Sequence, residues 1–313
     1  MRQIFFFIKA MEFTLSLDSP FSLDYTLESG QVFRWENKGE WWYGVVSEGV
    51  VKVAQEGDSL RCVSSEDSIG GDFMRSYFRL DEDLQQIMAS VMKDETLTQA
   101  AQRFYGMRLI RQEFWECLVS FVLATNSNIQ RIKKMISSVC THFGEPMEFE
   151  GINYFLFPEA ERLAEASVKE LRELGLGYRA VFLKRVAESV VQSRVDPGEL
   201  CMMDYDRAHE TLSEVLVDEK VLPGVGPKVA DCILLYSCGK DEAFPIDVWI
   251  ARVLVRSYSS LIGPNLLKRL DPEMKARLSR SDYARISAAA RAYFGRYAGY
   301  AQQYLFTMAR DEG

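Results

Sequence analysis

Residues 222–233 read LPGVGPKVADCI, and this stretch decides how the middle of the chain folds. A segment with helical periodicity at about 205–217 leads into it. Gly224 and Gly226 permit a tight turn, and Pro227 suits the first position of a second helix. The stretch therefore predicts a helix-hairpin-helix, whose outward-pointing amides at the start of the second helix suit a DNA phosphate. A plain turn between two helices is the alternative for a lone Gly-x-Gly.

Lys228 lies one residue after Pro227, in the first turn of the second predicted helix. The helix dipole disfavours a cation at this place, so we expect a lowered pKa for the Lys228 amine. With partial desolvation, such an amine can act as a nucleophile and form a Schiff base with a sugar carbon. Cys232 follows four residues later and is expected to project from the same helix face.

An aspartate in apolar surroundings follows in the sequence FPIDVW at 244–249. Asp247, two residues after Pro245, is either the N-cap of another helix or a buried carboxylate with a chemical role. Both roles are compatible. A capping carboxylate that faces Lys228 would stabilise positive charge on a sugar that is losing its base.

The remaining sequence falls into two differently patterned parts. From Phe13 to about Val63, β-branched and aromatic runs broken by glycines predict antiparallel strands; the runs are FSLDYTL, VFRW, WWYGVV and VVKVAQ. From about Asp67 the apolar residues recur with helical spacing, most clearly in segments 83–93, 112–125, 129–143 and 167–176. We predict an α+β fold with an antiparallel β domain at 11–95 and a helical domain at 96–313. The absence of a low-complexity linker predicts that the two pack together.

Composition bounds the class of protein. With 313 residues, 48% of them hydrophobic and 26% charged, the chain is long enough for two or three domains with hydrophobic cores, which excludes disordered and fibrous classes. The apolar run at 4–8 is too short for a membrane span or a secretory signal. We therefore expect a cytoplasmic or nucleoid protein, nuclear in a eukaryote, that starts at Met1 or at Met11.

The charge distribution and the cysteine spacing lead to two further expectations, one on where DNA could bind and one on metal sites. The net charge of −8 belongs to the first 100 residues, which hold 17 acidic and 9 basic side chains, whereas 101–313 hold 28 of each. A DNA-binding surface, if the protein has one, therefore belongs to the C-terminal two-thirds, but the charge balance alone does not indicate nucleic acid. The six cysteines form no C-x-x-C pair, so we expect reduced thiols without a disulfide framework and neither a zinc nor an iron–sulfur site. No organic cofactor or redox metal is expected either, and the sequence leaves open whether the hairpin carbonyls hold an alkali cation.

Two stretches together resemble the helix-hairpin-helix and Gly/Pro…Asp motif of the DNA glycosylase superfamily, in its lysine-bearing form. They are LPGVGPKVADCILL (222–235) and FPIDVWIARVL (244–254). Four further motifs are similar to those of 8-oxoguanine DNA glycosylases: SGQVFRW (29–35), TNSNIQRI (125–132), LGLGYRA (174–180) and YAGYAQQYLF (297–306). The resemblance extends over about residues 13–308. It implies a bifunctional glycosylase and AP lyase in which Lys228 attacks C1′ of the damaged nucleotide and Asp247 assists electrostatically.

The resemblance also implies a set of base-contacting residues: Gly30, Cys232, Pro245, Gln302 and Phe306. The Gly30 carbonyl would accept the N7–H of the base, Gln302 would read its Watson–Crick edge, and Phe306 with Cys232 would enclose the ring. Without the resemblance, Gly30 would be interpreted as a turn glycine, Phe306 would be interpreted as a core aromatic residue, and Cys232 would be interpreted as a small buried apolar residue.

On the opposite strand, the resemblance implies contacts from Asn126, Arg131, Tyr178 and Arg179. Asn126 would fill the vacated stack, Tyr178 would wedge beside it, and the two arginines would bind the unpaired cytosine. Without the resemblance, the two arginines are solvated charges on helix surfaces. The implied partner is duplex DNA containing 8-oxoguanine, bound by a monomer that flips the lesion out of the stack.

Three other readings stay open at this point. An endonuclease III-like glycosylase shares the lysine and aspartate but generally ends in a four-cysteine iron–sulfur cluster, whereas no cysteine follows Cys238 here. A monofunctional alkylbase glycosylase lacks the lysine, and a non-catalytic hairpin module would only grip phosphates. The chain departs from the animal 8-oxoguanine enzymes at Trp249, where they carry histidine, and at Tyr236, where methionine is often expected.

Overall fold

The computed structural model describes residues 10–213, 222–270 and 278–313. Its N-terminal part contains the strands β1 (Met11–Ser16), β2 (Trp35–Lys38), β3 (Trp41–Val46), β4 (Gly49–Glu56) and β5 (Ser59–Ser64). They form one antiparallel sheet in the order β1-β5-β4-β3-β2. Gly44 pairs with Trp35 across β2 and β3, and a Cβ at Gly44 would stand 2.5 Å from the Trp35 ring. Glycine is needed there because the buried indole lies over the strand.

The sequence FSLDYTL was predicted as a strand, and that prediction is wrong. Its residues enter helix α1 (Leu23–Glu28), which begins because the Ser22 side chain caps the Tyr25 amide at 3.3 Å. The side chain of Gln55 on β4 also accepts the Leu23 amide, at 2.8 Å. These two polar contacts outweigh the strand propensity of the run. Helix α1 ends two residues before Gly30, which belongs to the candidate site.

Helices dominate the rest of the chain. They are α2 (Gly71–Tyr77), α3 (Leu84–Val91), α4 (Glu95–Arg103), α5 (Phe114–Leu123), α6 (Ile129–Phe143), α7 (Ala160–Glu165), α8 (Val168–Leu171), α9 (Arg179–Val191), α10 (Pro197–Met202), α11 (Tyr205–Ser213), α12 (Pro227–Ser237), α13 (Val248–Ser257), α14 (Pro264–Leu270), α15 (Arg280–Phe294) and α16 (Ala298–Glu312). A π-helical turn follows α8 at Arg172–Leu176, and 3-10 turns lie at Ser259–Leu261 and Gly295–Tyr297. All four segments predicted from helical periodicity are helical, and the predicted α+β fold is confirmed.

A second, two-stranded sheet interrupts the helices and was not predicted. Its strands are β6 (Pro146–Phe149) and β7 (Ile152–Phe155). Phe149 packs with Val45 and Val50 of the first sheet, and Lys52 of β4 forms an ion pair with Glu150 at 2.5 Å. The sheet and the helical part are therefore packed together, as predicted.

The two main hydrophobic cores do not divide at residue 95. One contains the sheet with α1 and α2, and the other contains the later helices together with Phe33 and the buried face of α3. The α3 helix thus lies before the predicted boundary and packs into the helical core. The boundary at 95/96 stays a prediction.

The cysteine expectation is wrong for one pair. Cys201 and Cys238 are joined by a disulfide that links α10 to the residue after α12. The two cysteines are 37 positions apart, so the tertiary fold brings them together. The other four, Cys62, Cys117, Cys140 and Cys232, are free and buried.

Several expectations fall partly outside the described residues. The apolar run at 4–8, the start at Met1 and the end of the helix predicted at 205–217 lie there; within the described part that helix runs from Tyr205 to Ser213. Among the residues that are described, no helix is long and apolar enough to cross a membrane. The same residues contain no group of three histidine, cysteine or acidic side chains that could hold a metal ion.

Candidate active site

The predicted second helix of the hairpin is α12, and it begins as expected, with Pro227 in its first turn after the N-cap Gly226. Gly224 has a φ of +92° and lies against the ring of Phe182, where a Cβ would stand at 2.9 Å. A Cβ on Gly226 would meet nothing within 4 Å. Gly224 is therefore required by the turn, whereas Gly226 leaves an open face beside the free amides of α12. This is the place at which a phosphate can approach the backbone.

Lys228 lies in the first turn of α12 and is partly buried. Its Nζ lies 5.2 Å from the ring centroid of Phe121 on α5, and Cys232, one turn further along, is near enough to affect its pKa. The prediction that Lys228 and Cys232 share a face of this helix is confirmed. The amine thus lies near both an aromatic ring and a thiol.

The charge state of Lys228 differs from the expectation. Burial by itself lowers the pKa of Lys228, but its interactions with Cys232 and Asp247 outweigh burial and leave the pKa raised. The predicted lowering is therefore wrong, because acidic neighbours outweigh the helix dipole. Burial raises the pKa of the Cys232 thiol to about 11, so this thiol is uncharged at neutral pH. The negative charge that keeps Lys228 protonated at neutral pH is therefore that of Asp247. The amine must lose this proton before it can attack.

Asp247 is the N-cap of α13, as one of the two readings predicted. Its Oδ1 accepts the amides of Trp249 at 3.0 Å and Ile250 at 2.9 Å. Burial raises the pKa of Asp247, and the nearby Lys228 and the capping amides oppose that rise. Pro245, two residues earlier, is buried. The carboxylate that caps α13 is thus also one whose charge acts on Lys228.

A second carboxylate, that of Asp231, is fully buried and near enough to Lys228 to affect its pKa. Asp231, on α12, accepts the hydroxyls of Tyr205 and Tyr283, each at 2.5 Å. The Tyr283 hydroxyl also accepts the amide of Ile246 at 3.1 Å. Burial raises the pKa of Asp231, and its hydrogen bonds and the neighbouring His209 oppose that shift. The network ties the lysine helix to the segment that ends in Asp247, and the sequence motifs did not reveal it.

The predicted base-contacting residues on α16 lie beside Gly30. A Cβ on Gly30 would stand 3.3 Å from the Phe306 ring, and the φ of Gly30 is +86°. Gln302 precedes Phe306 by one helical turn, is 4% exposed, and its Oε1 has no hydrogen-bond partner. A buried amide oxygen without a partner is unusual in a folded protein and is typical of a group that binds a ligand.

The neighbouring Gln303 behaves differently. Its Oε1 accepts the Tyr236 hydroxyl at 2.5 Å, and its Nε2 donates to the Ser29 carbonyl at 3.0 Å. Tyr236 in turn stacks on Phe121, with ring centroids 5.4 Å apart. The hydrogen-bonding groups of Gln303 are therefore occupied, and they connect α12, α16 and the Gly30 turn. The free amide is that of Gln302, the residue that the motif indicated.

One further residue at this place was missed by the sequence reasoning. Arg310 follows Phe306 by one turn, and its guanidinium lies 5.6 Å from the Phe306 ring centroid. Its Nη1 would be 2.8 Å from a Cβ on Gly30. The spacing of four from Phe306 could have pointed to it.

The residues predicted for the opposite strand form a separate cluster. Asn126, in a left-handed conformation with a φ of +49°, donates through its side-chain amide to the Tyr178 hydroxyl at 3.3 Å. Arg179 is buried; its Nε donates to the Thr125 carbonyl at 2.9 Å and its Nη2 to the Asn126 carbonyl at 2.9 Å. Arg131 is exposed and lies near enough to lower the pKa of Arg179, after the larger effect of burial. All four predicted residues therefore lie close together.

Comparison with known proteins places these features in context. The family model for the N-terminal domain of 8-oxoguanine DNA glycosylase matches residues 14–118. The model for the HhH-GPD superfamily base excision DNA repair protein matches residues 119–263. The N-glycosylase/DNA lyase of Saccharomyces cerevisiae is 32% identical over 90% of this chain and 81% of its own length. The N-glycosylase/DNA lyase OGG1 of Arabidopsis thaliana is 30% identical over 91% of this chain and 76% of its own.

Solved structures give the same result. The apo-form of Clostridium acetobutylicum 8-oxoguanine glycosylase/lyase superposes with a TM-score of 0.82 at 29% identity, covering 95% of each chain. The same enzyme in complex with double-stranded DNA containing cytosine opposite 8-oxoguanine has a TM-score of 0.82 at 28% identity, covering 96% of this chain and 98% of its own.

Proposed function

This chain belongs to the 8-oxoguanine DNA glycosylase family, and from that premise we propose that it excises 8-oxoguanine from duplex DNA and then cleaves the strand at the abasic site. The observation that carries the proposal is the position of Lys228, which lies in the first turn of α12 beside the open Gly226 face and is near enough to Asp247 for that carboxylate to raise its pKa. A bound phosphate at that face would bring the sugar of a flipped nucleotide to the amine.

The chemistry follows from the pair. Lys228 gives up its proton, which leaves with the departing base, and its free amine bonds to C1′ as the base takes the electron pair of the glycosidic bond. Asp247 is held by two backbone amides, so its charge stays directed at the positive charge that develops on the sugar. The nitrogen then loses a proton and the C1′–O4′ bond of the sugar opens, with O4′ taking a proton, so that the adduct becomes a Schiff base. Loss of a C2′ proton from this Schiff base allows departure of the 3′ phosphate. Cys232 remains a neutral thiol beside the amine.

We assign recognition of the base to the residues around Gly30, Gln302 and Phe306. Gln302 has a free buried oxygen that suits the N1–H and N2–H of a guanine-type edge. The Gly30 backbone would accept the N7–H that 8-oxoguanine carries and guanine lacks. Phe306 and Cys232 would enclose the ring, with Pro245 at its border. The cluster of Asn126, Arg131, Tyr178 and Arg179 would bind the partner strand, with cytosine as the preferred opposite base.

A duplex panel tests the proposal, with 8-oxoguanine paired in turn with each of the four bases and with borohydride present to trap the imine. We expect base release, strand scission and a covalent protein–DNA adduct, most rapidly opposite cytosine. Lys228→Gln should lose adduct and scission while still binding lesion DNA, because the hairpin amides are unchanged. Base release without scission would indicate a monofunctional enzyme, and binding alone would indicate a hairpin module. Excision of oxidised pyrimidines instead would indicate the endonuclease III-like reading.

The setting of the enzyme is proposed on the same grounds. A DNA repair enzyme works where the DNA is, so we place it in the cytoplasm at the nucleoid, or in the nucleus of a eukaryote. We propose that it acts as a monomer, because all the predicted site residues come from one chain. Neither a cofactor nor a metal is needed for the lysine chemistry described above.

A further inference from the structure

We propose that Arg310 contacts the flipped base directly and donates a hydrogen bond to the oxygen at C8 of the oxidised purine. The proposal rests on the function proposed above and adds a specificity-determining residue to it. Arg310 belongs to none of the motifs by which the family was recognised.

The position of Arg310 is fixed on one side only. Its Nη2 donates to the carbonyl of Glu28 at 2.6 Å, which holds the guanidinium between the end of α1 and α16. Its Nη1 points to the other side, where Gly30 and the Phe306 ring lie. The guanidinium thus borders the surface on which the base is proposed to stack.

The Nη1 group is buried and has no hydrogen-bond partner. No carboxylate lies within ion-pair distance of Arg310 in the part of the chain that the structure describes. Burial lowers the pKa of Arg310, and the nearby Glu28 and Asp311 oppose that effect, but an arginine stays charged in a protein. A buried, charged donor without an acceptor is costly, so its presence beside Gly30 points to an acceptor that arrives with the ligand.

The geometry of the base selects the acceptor. In the proposed pocket, the N7–H faces the Gly30 carbonyl, and the two oxygens that flank N7 are O6 and O8. The O6 atom lies toward the Watson–Crick edge, where the Gln302 amide can donate to it. The O8 atom is left without a donor, and Arg310 is the unpartnered donor beside Gly30. Guanine carries a hydrogen at C8, so the same cation would favour the lesion and disfavour the normal base.

Three substrates separate this contact from mere support of the pocket. They are 8-oxoguanine, 8-thioguanine, in which sulfur replaces O8 while N7–H is kept, and 6-thio-8-oxoguanine, in which sulfur replaces O6. Sulfur is a weak acceptor. Arg310→Met should slow single-turnover excision of 8-oxoguanine by about 10- to 100-fold, the loss of one hydrogen bond to a charged donor. The loss should be equal for the 6-thio base and clearly smaller for the 8-thio base.

Controls keep the outcomes distinct. Cleavage of a preformed abasic site, which needs no base, should be unchanged in Arg310→Met. Arg103→Met removes an arginine that is about half exposed and paired with Asp311, and should behave as wild type on every substrate. If Arg310→Met does not fold, Arg310→Lys is used instead, since it keeps the charge and much of the apolar stem but not the forked donor geometry.

Two results would overturn the inference. Equal losses on all three substrates would mean that Arg310 only supports the Glu28–Gly30 turn, and a smaller loss on the 6-thio base would assign its donor to O6. Failure of the wild-type enzyme to release any of these bases would instead refute the proposed function. A wild-type enzyme that is active, together with an Arg310 variant that does not discriminate, refutes only the role of Arg310.

Discussion

The hydroxyl of Tyr283 donates to the carboxylate of Asp231 at 2.5 Å. Because it also accepts the Ile246 amide at 3.1 Å, one side chain of α15 connects the helix of Lys228 with the residue before Asp247. The two groups proposed to carry the chemistry lie on different elements, 19 residues apart in sequence. Their relative position therefore depends on a buried polar contact as well as on apolar packing.

We predict that Tyr283→Phe costs about 1–3 kcal/mol of unfolding free energy, because it leaves the buried Ile246 amide without this acceptor and removes one hydrogen bond from Asp231. It should also slow imine trapping on abasic DNA, since Asp247 loses its alignment with Lys228. Tyr205→Phe is the matched control, because Tyr205 donates to the same carboxylate at the same 2.5 Å. It should lower stability and leave trapping unchanged; equal trapping losses in both variants would show that Tyr283 has no separate positioning role.

A second prediction concerns pH. The pKa of Lys228 is raised, after the opposing effect of burial, by Cys232 and Asp247. The fraction of free amine in the wild-type enzyme should therefore increase with pH from neutral into the alkaline range, and the rate of borohydride trapping on preformed abasic DNA should increase with it.

Asp247→Asn removes the carboxylate that holds the proton on Lys228, while burial, which lowers the pKa of Lys228, remains. The pH profile of trapping should then move to lower pH, even though the maximal rate falls because the sugar cation loses its stabilising charge. The asparagine side-chain oxygen can still cap α13, so the fold should be kept. A profile that stays at the wild-type position would mean that Asp247 does not set the charge of Lys228.

Local sequence patterns accounted for the elements and motifs whose determinants lie close together in the chain. The periodicity at 129–143 gave both ends of α6, and Pro227 marked the start of α12, because a helix is specified by neighbours three and four residues apart. The strand predicted at 21–27 failed since its alternative, a capped helix, depends partly on Gln55, which comes from β4. Long-range contacts were the part that pattern reasoning could not supply.

The same distinction applies within the candidate site. The sequence motifs indicated Gly30, Gln302 and Phe306 as parts of one site. In the structure Gly30 lies beside the Phe306 ring, and Gln302 precedes Phe306 by one helical turn. The pKa of Lys228 was predicted with the wrong direction because the helix dipole is a local property, whereas the Asp247 charge arrives through the tertiary fold. The Cys201–Cys238 disulfide was missed for the same reason, as its partners are 37 residues apart.

A third prediction concerns Gly30→Ala. A φ of +86° is unfavourable for alanine by about 1 kcal/mol, and the added Cβ would also stand 2.8 Å from Arg310 and 3.1 Å from Ile129. Excision of 8-oxoguanine should fall strongly, whereas cleavage of a preformed abasic site should be largely kept. Gly57→Ala is the control, because Gly57 has a φ of +57° with nothing within 4 Å of an added Cβ. Equal losses on both substrates in Gly30→Ala would indicate that Gly30 supports the fold.

The last prediction separates the two arginines proposed to bind the opposite cytosine. Arg179 is buried and donates to the carbonyls of Thr125 and Asn126, so Arg179→Ala should lose both stability and the preference for cytosine over adenine. The Arg131 guanidinium is exposed and has no hydrogen-bond partner among the residues that the structure describes, so Arg131→Ala should lose the preference by about 1–3 kcal/mol without lowering the melting temperature.

Lys134→Ala is the matched control for Arg131→Ala, since it removes an exposed positive charge one turn further along α6. A general loss of phosphate attraction would weaken binding equally for all four opposite bases and would appear in both variants. Reading of the cytosine edge requires a donor at one place, and its loss should change the ratio of rates on cytosine-paired and adenine-paired lesions only in Arg131→Ala. An unchanged ratio in both Arg131→Ala and Arg179→Ala would remove these arginines from the role, and the opposite-base preference would then have to come from Asn126 or Tyr178.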